Sequence, residues 1–235
     1  MEVHHHPNVE KKNFKEYLLE GLMIFLAVSM GFIAENVREK ISEHEIEKRN
    51  MEIIVDNLKE DTTTLVKIRK LNSVKIQLLD SIIFFQKKNL NEAQSAKIFT
   101  KLYLKSSRID IFKTNKAAYE QMKSSGSLRL IKRKMVLDSL FNYSNFNERI
   151  DYNYTIITEN YNLSLEDAAT FVNFNNVIQD TPTIEIKNDP IAIFKFFNHT
   201  VSLKVKIANT DLILKIQLGN ATRLIQLLKK EYNID

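Results

Sequence analysis

Histidine clustering gives the chain its clearest pattern for metal chemistry. His4, His5 and His6 are adjacent, and clustered imidazoles bind metal ions. Adjacent side chains at a chain end converge on one ion less readily than histidines four apart on a helix. The pattern therefore favours a cytoplasmic-surface or oligomer-rim role, with metal binding as the alternative. His44 stands among charged neighbours, as on a solvated helix face, and His199 is isolated.

Patterns for catalysis are missing from the rest of the sequence. The chain has no cysteine, which excludes thiolate nucleophiles, disulfides and cysteine-based zinc or iron–sulfur sites. The sequence contains no recognisable Ser–His–Asp set, paired-carboxylate signal or glycine-rich phosphate loop. We therefore expect a protein that is not an enzyme and that has no cofactor and no metal site.

An apolar segment near the N-terminus predicts a membrane span. Residues 18–34 would form about 26 Å of helix, against a hydrocarbon core of about 30 Å. Residues 22–34 are uncharged and have no polar face, unlike an amphipathic surface helix. We therefore expect one transmembrane helix over residues 18–36, with Glu20 near one interface and Glu35 near the other. A buried core helix or a surface helix is the alternative.

Small residues in this segment predict contact with a second helix. Gly31 follows Ala27 by four residues, and Ala34 lies close to the same face. This spacing lets helix backbones approach closely in lipid. An acid at the hydrocarbon boundary, such as Glu20, is costly unless it is paired or protonated. The predicted oligomer and membrane-packing residues are Glu20, Gly21, Ala27, Gly31, Ala34, Glu35, Asn36 and Arg38.

Charges flanking the span leave its orientation open by the positive-inside rule. Three lysines precede the segment and four basic residues follow it, so the two sides are nearly balanced. A short cytoplasmic N-terminus with an exported body is a common arrangement. We therefore predict a single-pass membrane protein, with the lipid bilayer as a partner and the soluble domain exported.

The scarcity of turn-forming residues predicts a mainly α fold. The 235 residues include four glycines and three prolines, both below ordinary usage, and tight turns depend on these residues. We expect a short N-terminal tail over residues 1–17, the transmembrane helix over 18–36, a stalk or coiled-coil-like helix over 37–90, and a helical soluble domain over 91–235.

A seven-residue repeat marks the stalk. Leu58, Leu65, Asn72 and Leu79 keep this spacing, and Asp61 and Lys75 interrupt a neighbouring apolar row. Such a repeat is typical of a coiled-coil-like seam between chains. An amphipathic helix that packs on the C-terminal body of the same chain has the same pattern, and the sequence leaves both interpretations open.

Three residues are expected to end or start helices in the middle of the chain. Asn91 and Thr114 are of the types that cap helix N-termini, so we expect a helix to follow each of them. Gly126 is suited to the left-handed position after a helix C-terminus.

The C-terminal part changes character at residue 181. Residues 183–186 alternate as in a short strand. Pro190 is placed to be the first residue of a helix that Asp189 caps. Two closing helices are predicted, over residues 191–207 and 212–232.

Basic residues are concentrated between positions 97 and 149. This stretch has twelve basic and four acidic residues, a local balance of +8 against +5 for the whole chain. A basic face binds anionic lipid headgroups or an acidic partner, and a solvated face is the alternative. Nucleic acid is not an expected partner, since no recognised module is present. The candidate residues of an anionic-ligand surface are Arg129, Lys132, Arg133 and Lys134.

Several segments carry a family resemblance over about residues 4–140. These are KNFKEYLLEGLMIFLAV at 12–28, LKEDT at 58–62 and SSGSLRLI at 124–131. The chain resembles uncharacterised single-pass membrane proteins of Bacteroidota. Together with the expected export of the body, the resemblance implies a protein of the bacterial inner membrane whose soluble domain lies in the periplasm. Because that family has no known activity, it implies placement and architecture alone.

These observations predict a non-enzymatic, membrane-anchored scaffold that forms a homo-oligomer through its transmembrane and stalk helices. One alternative is an accessory subunit of a larger membrane transport or secretion complex, whose partner would be another membrane protein. The other is a membrane-tethered enzyme with an unrecognised site.

Overall fold

The computed structural model describes residues 13–174 and 186–234, and these form a helical fold. A single antiparallel bridge joins Val172 to Ile186, and the described residues contain no strand. The predicted mainly α fold, with a long N-terminal helix, is confirmed. The described α-helices are α1 (Phe14–Phe84), α2 (Ala93–Ser106), α3 (Ala117–Ser124), α4 (Lys134–Phe171) and α5 (Pro190–Tyr232), with 3-10 turns at Phe85–Lys87 and Ser127–Leu130.

The chain divides into two compact units, residues 1–49 and 50–235. In the first unit, the described residues belong to α1 and its first turn, and nearly all side chains before position 43 are exposed. The second unit contains the remainder of α1 and the other four described helices, and it holds the apolar core.

Two apolar clusters make up that core. The Met51 core joins α1 to α3, to the start of α4 and to the end of α5, and its members include Met51 and Leu224. The aromatic core is built from the later part of α1, from α2, and from the end of α4 and the first part of α5. Since the start of α4 and the end of α5 share one cluster, these two helices run antiparallel.

The stalk repeat is buried inside this unit. Leu58, Leu65 and Leu79 are 3% exposed or less, and they pack in the two cores with residues of the C-terminal helices. Of the two interpretations of the repeat, the structure shows a helix that packs on the body of its own chain.

The predicted helix caps have mixed outcomes in the middle of the chain. Gly126 has a φ of 73° immediately after α3 and its C-cap, as predicted. The predicted caps Asn91 and Thr114 are wrong, because α2 starts after Glu92 and α3 starts after Lys116. The hydroxyl of Thr114 donates to a carboxylate of α1 instead.

The C-terminal helix starts as predicted and ends differently. The Asp189 carboxylate accepts hydrogen bonds from two backbone N–H groups of the first turn, and Pro190 opens the helix. The two predicted closing helices are one, since α5 runs on without a break. Thr210, at the expected break, is 1% exposed, and Asp211 pairs with Arg69 of α1 at 3.1 Å. The predicted strand at 183–186 lies outside the described residues, apart from Ile186.

Phe196 tests the aromatic core. Its ring is 1% exposed and lies 5.3–5.7 Å from the ring centroids of Phe99, Phe171 and Phe197. We expect Phe196→Ala to lower the free energy of unfolding by about 3–5 kcal/mol, because the cavity cannot collapse within a packed cluster. Denaturant unfolding followed by circular dichroism measures this loss.

Phe194 supplies the matched control from the same helix. Its side chain is 61% exposed, so Phe194→Ala should cost less than about 1 kcal/mol. An equal loss of unfolding free energy in the two variants would show that packing in the aromatic core does not stabilise the fold.

Candidate functional site: an exposed apolar helix and a buried polar layer

The first part of α1 exposes a long apolar surface. Its most apolar 18-residue window has a mean hydropathy of 1.9, and none of that window is buried. Leu18, Phe25 and Phe32 are 64–68% exposed. Exposed apolar patches of this extent mark interaction with a membrane or a protein. Among the described residues, this is the one helix long and apolar enough to cross a membrane.

Four of the predicted packing residues share one side of this helix. Since the helix is unbroken, Glu20, Ala27 and Ala34 recur every two turns on one face, and Gly31 lies one turn after Ala27. A Cβ atom added to Gly21 or to Gly31 would meet no atom within 4 Å. The chain therefore leaves the space beside both glycines open.

The other predicted packing residues form a local ion pair. The Arg38 guanidinium donates to both carboxylate oxygens of Glu35, with Nη2–Oε1 at 2.5 Å and Nε–Oε2 at 2.9 Å. Asn36 is exposed beside them. Because Glu35 and Arg38 are both well exposed, their pairing contributes little to stability.

The predicted basic surface is partly neutralised by the fold. Arg129, Lys132, Arg133 and Lys134 are all exposed. The guanidinium of Arg133 pairs with Glu231 at 3.0 Å and lies 4.6 Å from the ring centroid of Tyr232. Arg133 therefore fastens the start of α4 to the end of α5, which lowers the net charge of this surface.

Histidine contacts differ from the expectations at one position. His199 Nδ1 lies 2.5 Å from the carboxylate of Asp167 and joins α5 to α4, a pairing that the sequence analysis missed. His44 is 3.8 Å from Glu47 on the same helix, and His4, His5 and His6 lie outside the described residues. Within the described ranges, no group of three or more metal-ligating side chains occurs.

Asp61 is a carboxylate buried in the core, where it needs several hydrogen-bond donors. It is 2% exposed, and a buried carboxylate is costly unless donors surround it. One oxygen accepts from the hydroxyls of Thr114 and Tyr143, the latter at 2.7 Å, and the other accepts from the Asn115 backbone N–H at 2.9 Å. Burial, helped by the Asp61 carboxylate, raises the pKa of Tyr143 and keeps its hydroxyl a donor.

A hydrogen-bond chain extends this site to α5. The side chain of Gln217 is fully buried, and its amide donates to Asn147 Oδ1 at 2.7 Å and to the Tyr143 carbonyl at 3.1 Å. Asn220 donates to Gln217 at 3.1 Å, and Arg223 donates to Asn220 at 2.7 Å. The chain thus runs from a buried amide to an exposed guanidinium.

These groups form a layer between the two apolar cores. We name Asp61, Tyr143, Asn147 and Gln217 the polar layer; it takes one or two residues from each of α1, α4 and α5. On each helix, the Met51 core lies on one side of the layer and the aromatic core on the other. A sliding helix would move its polar residue away from its partners, so the layer defines one register.

An open cleft lies beside the polar layer, between α4 and α5. We name it the Arg cleft. Its volume is about 620 Å³, and its walls include Phe146, Arg149, Arg223 and Leu227. Clefts of 300–1,000 Å³ with a few polar groups on apolar walls are typical of ligand sites.

Lys75 is a second unusual group. It is 9% exposed, donates to the Arg108 carbonyl at 2.9 Å, and borders a cavity of about 150 Å³. Burial lowers the pKa of Lys75 to about 8, while the nearby Asp110 acts in the opposite direction. A lysine with a lowered pKa can act as a nucleophile, but the contact that the structure shows for Lys75 is a hydrogen bond that fastens residue 108 to α1. Structural ion-pair and hydrogen-bond networks shift pKa values as well.

A sequence signal for both buried groups existed. Asp61 and Lys75 interrupt an apolar row, and charged residues are rarely buried without partners. The signal marked the two positions, but it could not supply partners such as Tyr143 and Arg108, which lie far away along the chain.

No protein-family model, curated protein or solved structure matches the chain. The resemblance to membrane proteins of Bacteroidota therefore stays a prediction.

Asp61→Asn tests the polar layer. An amide keeps the shape but has only one acceptor oxygen, and its NH₂ group faces donors. We expect the free energy of unfolding to fall by about 1–3 kcal/mol, as measured by denaturant titration. Asp56→Asn, at a position where the side chain is 74% exposed and pairs with Lys59, should change stability by less than about 0.5 kcal/mol. An unchanged free energy of unfolding in Asp61→Asn would rule out the role of Asp61 in defining the helix register.

Lys75 gives stability a specific pH dependence. Its pKa is about 8 when folded against 10.5 in the unfolded chain, so the unfolded chain binds more protons between these values. Stability therefore rises with pH in this window. Relative to Lys75→Met, the wild type should gain about 2 kcal/mol between pH 7 and pH 9.5. Urea titrations across this range measure the difference, and the exposed Lys70→Met is the matched control. A pH-independent difference would mean that Lys75 is not buried as described.

Proposed function

We propose that the chain is a non-enzymatic scaffold that is anchored in a membrane and self-associates through the first part of α1. The observation that carries this proposal is the apolar window of that helix, none of which is buried. In lipid, apolar surface alone does not drive helices together, whereas small residues permit close packing. The face with Ala27, Gly31 and Ala34 supplies such residues.

Burial of the stalk repeat limits which residues of α1 can form a contact between copies. From Met51 onward the apolar row of α1 is filled by the chain's own core. Before that point, Val37, Ile41 and Ile46 are 47–56% exposed. We therefore assign self-association to the transmembrane segment and to the stalk residues before position 50.

Placement in the bacterial inner membrane is part of the same proposal. In this proposal, the N-terminus is cytoplasmic and the body is periplasmic. The motifs at residues 12–28, 58–62 and 124–131 support a relationship to single-pass proteins of Bacteroidota.

Native mass spectrometry of the full-length protein, gently extracted from its own membranes, tests this proposal. We expect the protein to remain in the membrane fraction after an alkaline carbonate wash and to give one homo-oligomeric mass. Release by carbonate would overturn the anchor. A heavier complex with a second polypeptide would replace self-association with the accessory-subunit role.

Gly31→Leu tests the contact face. A leucine there fills the open space beside the backbone and blocks close helix approach. We expect the oligomer to dissociate at least about tenfold more readily, by the 1.4 kcal/mol that such a ratio represents. The melting of the second unit should not change.

Ser29→Leu is the matched control. It makes a similar small-to-large change two residues away, about 160° around the helix. In native mass spectra, this variant should show the same number of chains per oligomer as the wild type. Equal dissociation of both variants, or of neither, would contradict the assigned face.

A further inference from the structure

The Arg cleft has charged walls of one sign. Arg149 of α4 and Arg223 of α5 line it, and its described lining contains no acidic side chain. Neither arginine belongs to a salt bridge within the described part of the chain. The fold therefore does not use these two guanidinium groups to neutralise its own acids.

One of the two guanidinium groups is held in place from inside the protein. Arg223 Nη2 donates to Asn220, which donates to the fully buried Gln217. A group that is already ordered loses less entropy when it binds a ligand. Arg149 lies 5.9 Å from the ring centroid of Phe146, and this contact restricts the second guanidinium.

The remaining walls are both polar and apolar. Ser139, Asn142 and Asn145 add hydrogen-bonding groups, while Met135 and Leu227 add apolar surface. Met135 is 60% exposed. A ligand that matches these walls has an anionic head and a compact apolar body.

We propose that the Arg cleft binds a phosphate monoester that carries a small apolar group. Guanidinium groups bind phosphate oxygens in a bidentate manner, and two arginines match the charge of a dianion. The apolar body of the ligand contacts Met135, Phe146 and Leu227. This site is distinct from the anchor, since all of its residues belong to the second unit.

Isothermal titration calorimetry of the full chain in dodecyl maltoside tests the proposal, with phenyl phosphate as the probe. The detergent is uncharged and contains no phosphate. We expect one phenyl phosphate per chain, at least tenfold weaker binding of inorganic phosphate, and no binding of phenol. Inorganic phosphate binding as tightly as phenyl phosphate would overturn the role of the apolar walls.

Charge-removing variants locate the site. Arg149→Gln and Arg223→Gln should each weaken phenyl phosphate binding at least tenfold. Lys67→Gln removes an exposed positive charge from α1 and should leave binding unchanged. Because both arginines are exposed, these changes should not alter the helical circular dichroism spectrum.

Two further results would overturn the proposal. One is the absence of any phenyl phosphate binding to the wild type. The other is an equal loss of affinity in Lys67→Gln and the two arginine variants, which would indicate attraction by net charge alone. The oligomeric mass of these variants separates this test from that of self-association, since loss of binding in an intact oligomer concerns the cleft only.

Discussion

The buried carboxylate of Asp61 is the constraint on which the second unit depends. A charge removed from water costs several kcal/mol unless hydrogen bonds replace the lost hydration. Its donors come from three places: the backbone of Asn115, the hydroxyl of Thr114 and the hydroxyl of Tyr143 on α4. All are satisfied in one arrangement of α1, the α2–α3 connection and α4. These segments can therefore pack only in an arrangement that keeps all three donors at the Asp61 carboxylate.

Apolar packing alone would define this arrangement less well. The Met51 core and the aromatic core both contain rows of similar side chains along α1, α4 and α5, and such rows can be matched in more than one register. The polar layer removes that freedom, because Gln217 and Asn147 meet only when α5 and α4 are correctly aligned. We infer that the layer contributes specificity, while the two apolar cores supply most of the stability.

Local features of this fold could be predicted from sequence, whereas long-range partners could not. Gly126 and Asp189 act on their immediate neighbours, so their roles follow from residue type. Thr114 has the right type for a cap, but it donates to an acid 53 positions away. Asp211 lies where a break was expected, yet its partner Arg69 is 142 positions away. The Arg cleft could not be predicted from the sequence either. Arg149 and Arg223 are far apart along the chain, and only the antiparallel packing of α4 and α5 brings both of them to one cleft.

The apolar side chains of α1 are covered in its later part and exposed in its first part. From Met51 onward, the apolar row of α1 is covered by the other helices of its unit. Before position 50, exposed apolar side chains line the same helix. A coiled-coil seam over the whole stalk would require the covered row to leave the core, at a cost of several kcal/mol. The proposed contact between copies therefore costs least where the apolar surface is still exposed, since it then leaves the core of the second unit covered by its own helices.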